Sequence, residues 1–275
     1  MTDLILCAGI FSASVVSGML GIGVAFAAIP ILGIGGMDLV TQIQPIALFL
    51  NGLTALFAAI SFARAGFVNW PRSLALAAVG SVFSPAGAFM AEKTGETLLW
   101  GSFFAAVVLV VYLLSQTRPA TKEALSFRQV LWLSMPISAF SGLLGVGPGF
   151  LLVPLMVYAG FAPRWAAAIS AVAVIPSSLL SLVPHLGHAS VDVMATLPIA
   201  VSAAAGALLG GYLSSTRVPE IQLRRLFMVV IVALSIYKAV SLINSSLHRP
   251  VDSSPLSDSM SIPFVFGART PQPGA

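Results

Sequence analysis

One sixteen-residue phrase occurs twice in this chain. Residues 17–32 read SGMLGIGVAFAAIPIL and residues 141–156 read SGLLGVGPGFLLVPLM, an offset of 124. Seven of the sixteen positions are identical: Ser17/Ser141, Gly18/Gly142, Leu20/Leu144, Gly21/Gly145, Gly23/Gly147, Phe26/Phe150 and Pro30/Pro154. Several others exchange one aliphatic side chain for another. An apolar segment interrupted by glycine and repeated at the same place in two halves points to a ligand site between membrane repeats.

Composition agrees that the solvent is lipid. Of 275 residues, 58% are hydrophobic and 8% charged, where a soluble domain carries about 25% charge. Such a chain cannot cover itself with polar surface, so its partner is the lipid bilayer. A bilayer core needs about 20 apolar residues per helical crossing. Apolar runs cover 4–32, 42–63, 73–91, 97–115, 129–158, 165–183, 193–213 and 225–244. Residues 1–116 and 129–245 therefore read as two transmembrane repeats. They are joined by the polar linker 117–128 and followed by a Pro/Ser/Asp/Gly-rich tail, 246–275. The fold class is all-α and polytopic, and the location is a bacterial plasma membrane. The N-terminus lacks a basic n-region and a clear small-residue cleavage site, so it reads as the first membrane segment. Cys7 is the single cysteine, which excludes an intramolecular disulfide. The net charge of +4 reflects basic cytoplasmic loops, not a nucleic-acid surface.

Loop charge bears on how the halves face. Basic residues cluster as Arg64 and Arg72; Arg118, Lys122 and Arg128; Arg164; and Arg217, Arg224 and Arg225. Eight plain crossings would put the last cluster outside, against the rule that cytoplasmic loops collect Lys and Arg. If 4–32 and 129–158 each enter and return, hinged at their glycines, all four clusters lie inside. Lys93 then remains outside, and Arg249 and Arg269 of the tail fall there too. The expected architecture is thus a pair of inverted four-segment repeats, each opening with a glycine-broken or re-entrant helix.

The chemistry of such breaks suits an anion. Non-helical backbone at membrane depth survives only inside protein or along a polar cavity. The N-termini of half-helices carry partial positive charge and free amides. Gly21, Gly23, Gly145 and Gly147 would form the breaks, with Ser17 and Ser141 as added hydroxyl donors. Pro30 and Pro154 would break or kink each return piece. Glycines in membrane helices also serve close helix packing, and that reading stands beside the first. The Gly206-x-x-x-Gly210 pair reads as a helix-contact face and offers a homodimer a surface. The Gly-x-Gly spacing is no dinucleotide fingerprint, because no βαβ unit surrounds it; no cofactor is implied.

The paired GxGxxxxxxP segments, the four-plus-four layout and the size resemble the sulfite exporter TauE/SafE family, also called the toluene sulfonate uptake permease family. The likeness spans roughly residues 4–245, and its stronger part is GVGPGFLLVPLMVYAGFAPRWAAAISAVAVIP. There Ser170 closes the family's Ala-x-x-Thr-Ser motif, with Ile169 in place of threonine. In the first copy, Val24 and Ala25 replace further glycines, and Gln44-Pro45 replaces a small polar pair. The resemblance implies a secondary transporter, a permease or exporter, moving sulfite, sulfonates or related small anions. Gln44 and Ser170, at roughly equivalent positions just after each motif, read as secondary ligands.

The remaining polar residues are few. His185, His188 and Asp192 could form a metal or pH-sensitive group, but two loop histidines after Pro184 read as solvated, and no metal site is assigned. Gln42 and Asn51 are intramembrane amides that seek partners on neighbouring helices. Arg164 is a topology determinant or an attractant at a pore mouth. Trp70, Trp100, Trp132 and Trp165 mark the membrane interfaces. No span holds the histidine or paired aspartates of an intramembrane protease, so catalysis is not expected. The rival reading is a non-transporting membrane scaffold or subunit.

Overall fold

The computed structural model describes residues 2–34, 37, 39–91, 125–143, 147–187 and 189–223, with scattered helical positions at 101–112 and 225–233. The segments expected at 97–115 and 225–244, most of the linker and the tail lie largely or wholly outside the described residues. Eight helices carry the rest: α1 (Thr2–Leu20), α2 (Ala25–Ile34), α3 (Gln44–Arg64), α4 (Trp70–Ala91), α5 (Phe127–Leu143), α6 (Gly149–Tyr158), α7 (Pro163–Leu182) and α8 (Val193–Thr216). A π-helical turn, Leu39–Ile43, precedes α3, and a 3-10 turn, Val183–Gly187, follows α7. No strand occurs among the described residues.

Among the described residues, four helices are long and apolar enough to cross a membrane: Thr41–Arg64, Trp70–Met90, Pro163–Leu182 and Val193–Thr216. The expected 4–32 and 129–158 segments each hold two helices, α1 with α2 and α5 with α6. Local chemistry sets the ends. The Asn69 side chain accepts from the Arg72 N–H at 3.2 Å to start α4, and Asp192 accepts from Met194 and Ala195 to start α8. That cap is the role the structure gives Asp192. The ends of α3 and α6 close alike: Phe67 N–H donates to Phe62 and Phe161 N–H to Met156, each at 3.0 Å. Gly66 and Gly160 supply the left-handed residue such a closure uses.

Among the described helices, packing pairs α1 with α8 and α5 with α4 most extensively; α3 packs on α7 and α8, and α7 packs on α4 as well. Small residues make these contacts close. A Cβ on Gly18 would stand 2.5 Å from the Ala207 carbonyl oxygen, and one on Gly142 would stand 2.9 Å from the Ser84 Cα. A Cβ on Gly210 would reach within 2.9 Å of Met19 N, and one on Gly87 within 2.9 Å of Leu143 N. The contacts match: Gly18 and Gly142 are 124 apart, as are Met19 and Leu143, while Gly87 and Gly210 are 123 apart. In lipid, such backbone approach supplies the van der Waals contact that hydrophobic burial supplies in water. Gly206 faces Phe11 and Ser14 of α1, so the Gly206/Gly210 face is spent within the chain and is not free for a homodimer.

The loops gather at two ends. At one, Arg72 lies over Phe127 and Phe161, Arg164 lies over Phe67 and donates to the Val218 carbonyl, and Leu125 N–H meets the Ala159 carbonyl. At the other end of α3, roughly 30 Å away by helical rise, Ser190 N–H donates to the Thr41 carbonyl at 3.0 Å. Trp70, Trp132 and Trp165 are all exposed near helix ends; Trp100 is outside the described residues.

Gly87→Leu and Gly210→Leu should each destabilise the fold by about 1–3 kcal/mol or more through overpacking. The falls in detergent unfolding midpoint should be similar, because the contacts match. Gly33→Leu, which meets open space, is the control and should stay near wild type.

Candidate functional site

α1 and α2 form one apolar run that the backbone interrupts at residues 21–24. Gly21 and Gly23 take φ of +66° and +80°, a region costing an L side chain roughly 1–2 kcal/mol. Gly147 takes φ of +79° at the matching place before α6. All three are buried. The interruption at 21–24 leaves the C-terminus of α1 beside the N-terminus of α2 inside the protein, and their backbone groups need partners there.

The interruptions touch. A Cβ on Gly149 would lie 2.8 Å from the Ile22 carbonyl oxygen. Phe26 and Phe150, counterparts in the repeated phrase, stack with centroids 5.2 Å apart and planes 8° apart.

Between them stands Asn51 of α3, with no exposed surface. Its Oδ1 accepts from the Ala25 N–H, the first of α2, at 2.9 Å. Its Nδ2 donates to Ser178 Oγ on α7 at 2.8 Å. The amide's orientation follows, since a backbone N–H can only donate. A Cβ on Gly147 would stand 2.7 Å from Nδ2, and one on Gly23 would overlap the carboxamide. One side chain therefore caps α2, ties α3 to α7, and occupies space that two glycines leave open. The start of α6 differs. Pro148 is its N-cap and forms no side-chain bond there, so the positive end of that helix dipole is not met by a side-chain cap.

Of the expected ligands, Ser17, Ser141 and Ser170 are all buried, and none of their hydroxyls has a hydrogen-bond partner. Helical Ser and Thr usually return the proton to a carbonyl three or four residues back, as Thr54 and Ser177 do here. Ser17 and Ser141 sit in the last turns of α1 and α5, directly before the interruptions. Ser170 shares the α7 stripe of Ala167, Val174 and Ser178, whose atoms meet Gly21, Gly149 and Asn51. A buried hydroxyl without a partner costs about 1–3 kcal/mol, so such groups call for an explanation, and a polar ligand provides one. The potential donors are neutral: hydroxyls, an amide and helix ends.

Gln44 is not brought in. It opens α3, half-buried, two turns or roughly 10 Å before Asn51. Gly145 lies outside the described residues, as does His188. Pro30 and Pro154 do not end their helices: α2 runs on to Ile34 and α6 to Tyr158. Each proline removes one backbone donor, and burial of α6 from Gly149 to Met156 holds the turn despite that loss. The residue whose central place sequence reading missed is Asn51. Its signal was a carboxamide in an otherwise apolar span.

Asn51→Ala would leave the Ala25 amide and the Ser178 hydroxyl without this partner. The expected loss is about 1–3 kcal/mol, seen as a lower unfolding midpoint in detergent. An unchanged midpoint would remove Asn51 from this structural role.

Comparison with known proteins fits this arrangement. Two relatives, both "probable membrane transporter protein" of Xylella fastidiosa, strains Temecula1 and 9a5c, are each 28% identical, over 243 and 240 residues. Each alignment covers 80% of this chain and 88% of the relative. No solved structure matches. The profile of sulfite exporter TauE/SafE matches residues 5–238, from α1 to beyond α8. With its apolar helices and its bacterial relatives, the chain is an integral bacterial membrane protein, and it belongs to the sulfite exporter TauE/SafE family of membrane transporters.

Proposed function

We propose that the chain is a secondary transporter for small sulfur-containing anions, sulfite or a sulfonate, held near the membrane midplane where the two glycine interruptions meet. The observation that carries this reading is the set of buried, unpartnered hydroxyls of Ser17, Ser141 and Ser170 around two touching helix breaks. An oxyanion accepts hydrogen bonds from hydroxyls and from the amides of Gly23, Gly145 and Gly147, while the Gly21 N–H is held by the Ser17 carbonyl at 2.8 Å and shapes the turn instead; the positive end of α6 favours the anion's charge. Gln44 serves as a more distant ligand along the path. Among the described residues the groups around the interruptions are neutral, which suits a carrier that has to release what it binds.

The matched helix contacts and the Phe26/Phe150 stack support two repeats, 1–116 and 129–245, joined by the linker 117–128. Their inverted arrangement is supported by the meeting of residues 67–72, 125–127, 159–165 and 218 at one end. Eight plain crossings would set some of these on opposite sides. In this reading that end is cytoplasmic, and α1–α2 and α5–α6 each enter and return.

The test is uptake of labelled sulfite and a small sulfonate into proteoliposomes. Ser141→Ala and Ser170→Ala should lower flux about tenfold, the effect of about 1.4 kcal/mol, while leaving the unfolding midpoint equal or higher. They remove hydroxyls that bond to nothing in the folded protein. Gly147→Leu should abolish flux. Unchanged flux in both serine variants would move the site elsewhere. A wild type that moves no anion would favour a scaffold or subunit role.

A further inference from the structure

A cavity of about 250 Å³ lies at the end of the bundle where α4 and α7 begin, lined by Asn69, Arg72, Phe161, Ala162, Trp165 and Ile169. Its charged group is Arg72. That guanidinium stands 5.3 Å from the Phe127 ring centre and 5.4 Å from that of Phe161, so two aromatic faces fix it without neutralising it. Among the described residues no carboxylate pairs with it. Asn69 contributes a carboxamide whose oxygen is turned to the Arg72 N–H, which leaves its NH2 as the free end. The N-termini of α4 and α7 converge on the same space, and α7 has no side-chain cap. Among the described residues lining this cavity, the charged group is cationic, and both helix ends turn their positive poles to it. Its apolar wall ends at Ile169, buried and adjacent in sequence to Ser170.

The geometry points to a second, outer anion site in this cavity. A sulfur or phosphorus oxyanion is held there by Arg72 and Asn69 against Trp165, about one and a half turns of α7 before Ser170. The place of this site on the route to the interruptions rests on the transport reading above; its capacity to bind does not. A guanidinium fixed between rings gives planar, two-point recognition of an oxyanion, which a lysine cannot reproduce.

Trp165 lines the cavity and serves as the reporter, once the other three tryptophans are replaced by Phe. In phosphatidylcholine nanodiscs, sulfite, sulfate, methanesulfonate and phosphate are titrated against its emission. At least one should give a saturable change. Arg72→Gln should weaken it tenfold or more, with Arg72→Lys between the two. Gly33→Leu, in open space on α2, should leave it intact. No saturable change with any of the four anions, or an equal affinity in Arg72→Gln, would overturn the site. A change seen only when phosphatidylglycerol is added would assign the cavity to a lipid phosphate and overturn its place on the route. Binding here without flux in proteoliposomes would retain the site and reject the transport reading, whereas flux without binding would do the reverse.

Discussion

A single carboxamide in an apolar bundle decides how the centre of this protein is built. Asn51 meets the first amide of α2 and the hydroxyl of Ser178 at once, so α2, α3 and α7 share one buried polar contact. In lipid, an unmet amide at that depth has no water to turn to. The contact exists only because Gly23 and Gly147 have no side chains where the carboxamide lies. The glycines thus do two things: they let the backbone turn at positive φ, and they leave room for the group that satisfies what the turn exposes.

The two interruptions share a glycine at positive φ, Gly23 and Gly147, and differ at the helix start that follows. The first has Asn51 on its amide; the second begins at Pro148 with no side-chain cap. An asparagine oxygen at a helix start stands where a bound anion's oxygen would stand. At the start of α2, Asn51 therefore takes the place that an anion's oxygen would take. The sequence departures Val24 and Ala25 lie at this same place, so drift in the first repeat coincides with its occupation by Asn51.

At the periphery the same economy of charge recurs. Arg164 is engaged by the Val218 carbonyl and the Phe67 ring, and Arg72 by two rings. Each arginine lies on the phenylalanine that closes the helix end opposite it: Phe161 after α6, Phe67 after α3. The turns that end the helices therefore also place the cations, and the basic residues that sequence reading treated as orientation signals have structural seats.

Much of the architecture was legible in the chain itself. Low charge and long apolar runs required a lipid-solvated helical fold, because each backbone group must be satisfied within its own segment. The repeated phrase marked Gly21, Gly23 and Gly147, which take the positive φ that glycine adopts most readily. Ser17, Ser141 and Ser170 were legible as hydroxyls in or beside the motifs. What periodicity could not supply was which groups meet across helices. Asn51 and Ser178 are 127 residues apart, and Gly206/Gly210 faces α1 instead of a second chain; both facts depend on how α1, α3, α7 and α8 pack. Nor could spacing tell that Pro30 and Pro154 stay within helices, since tertiary burial outweighs one lost hydrogen bond. The sequence by itself determined the class of solvent, the helices and where they break. Only the tertiary structure decided which amide each break would meet, because hydrogen bonds between distant segments are set by packing and not by local pattern.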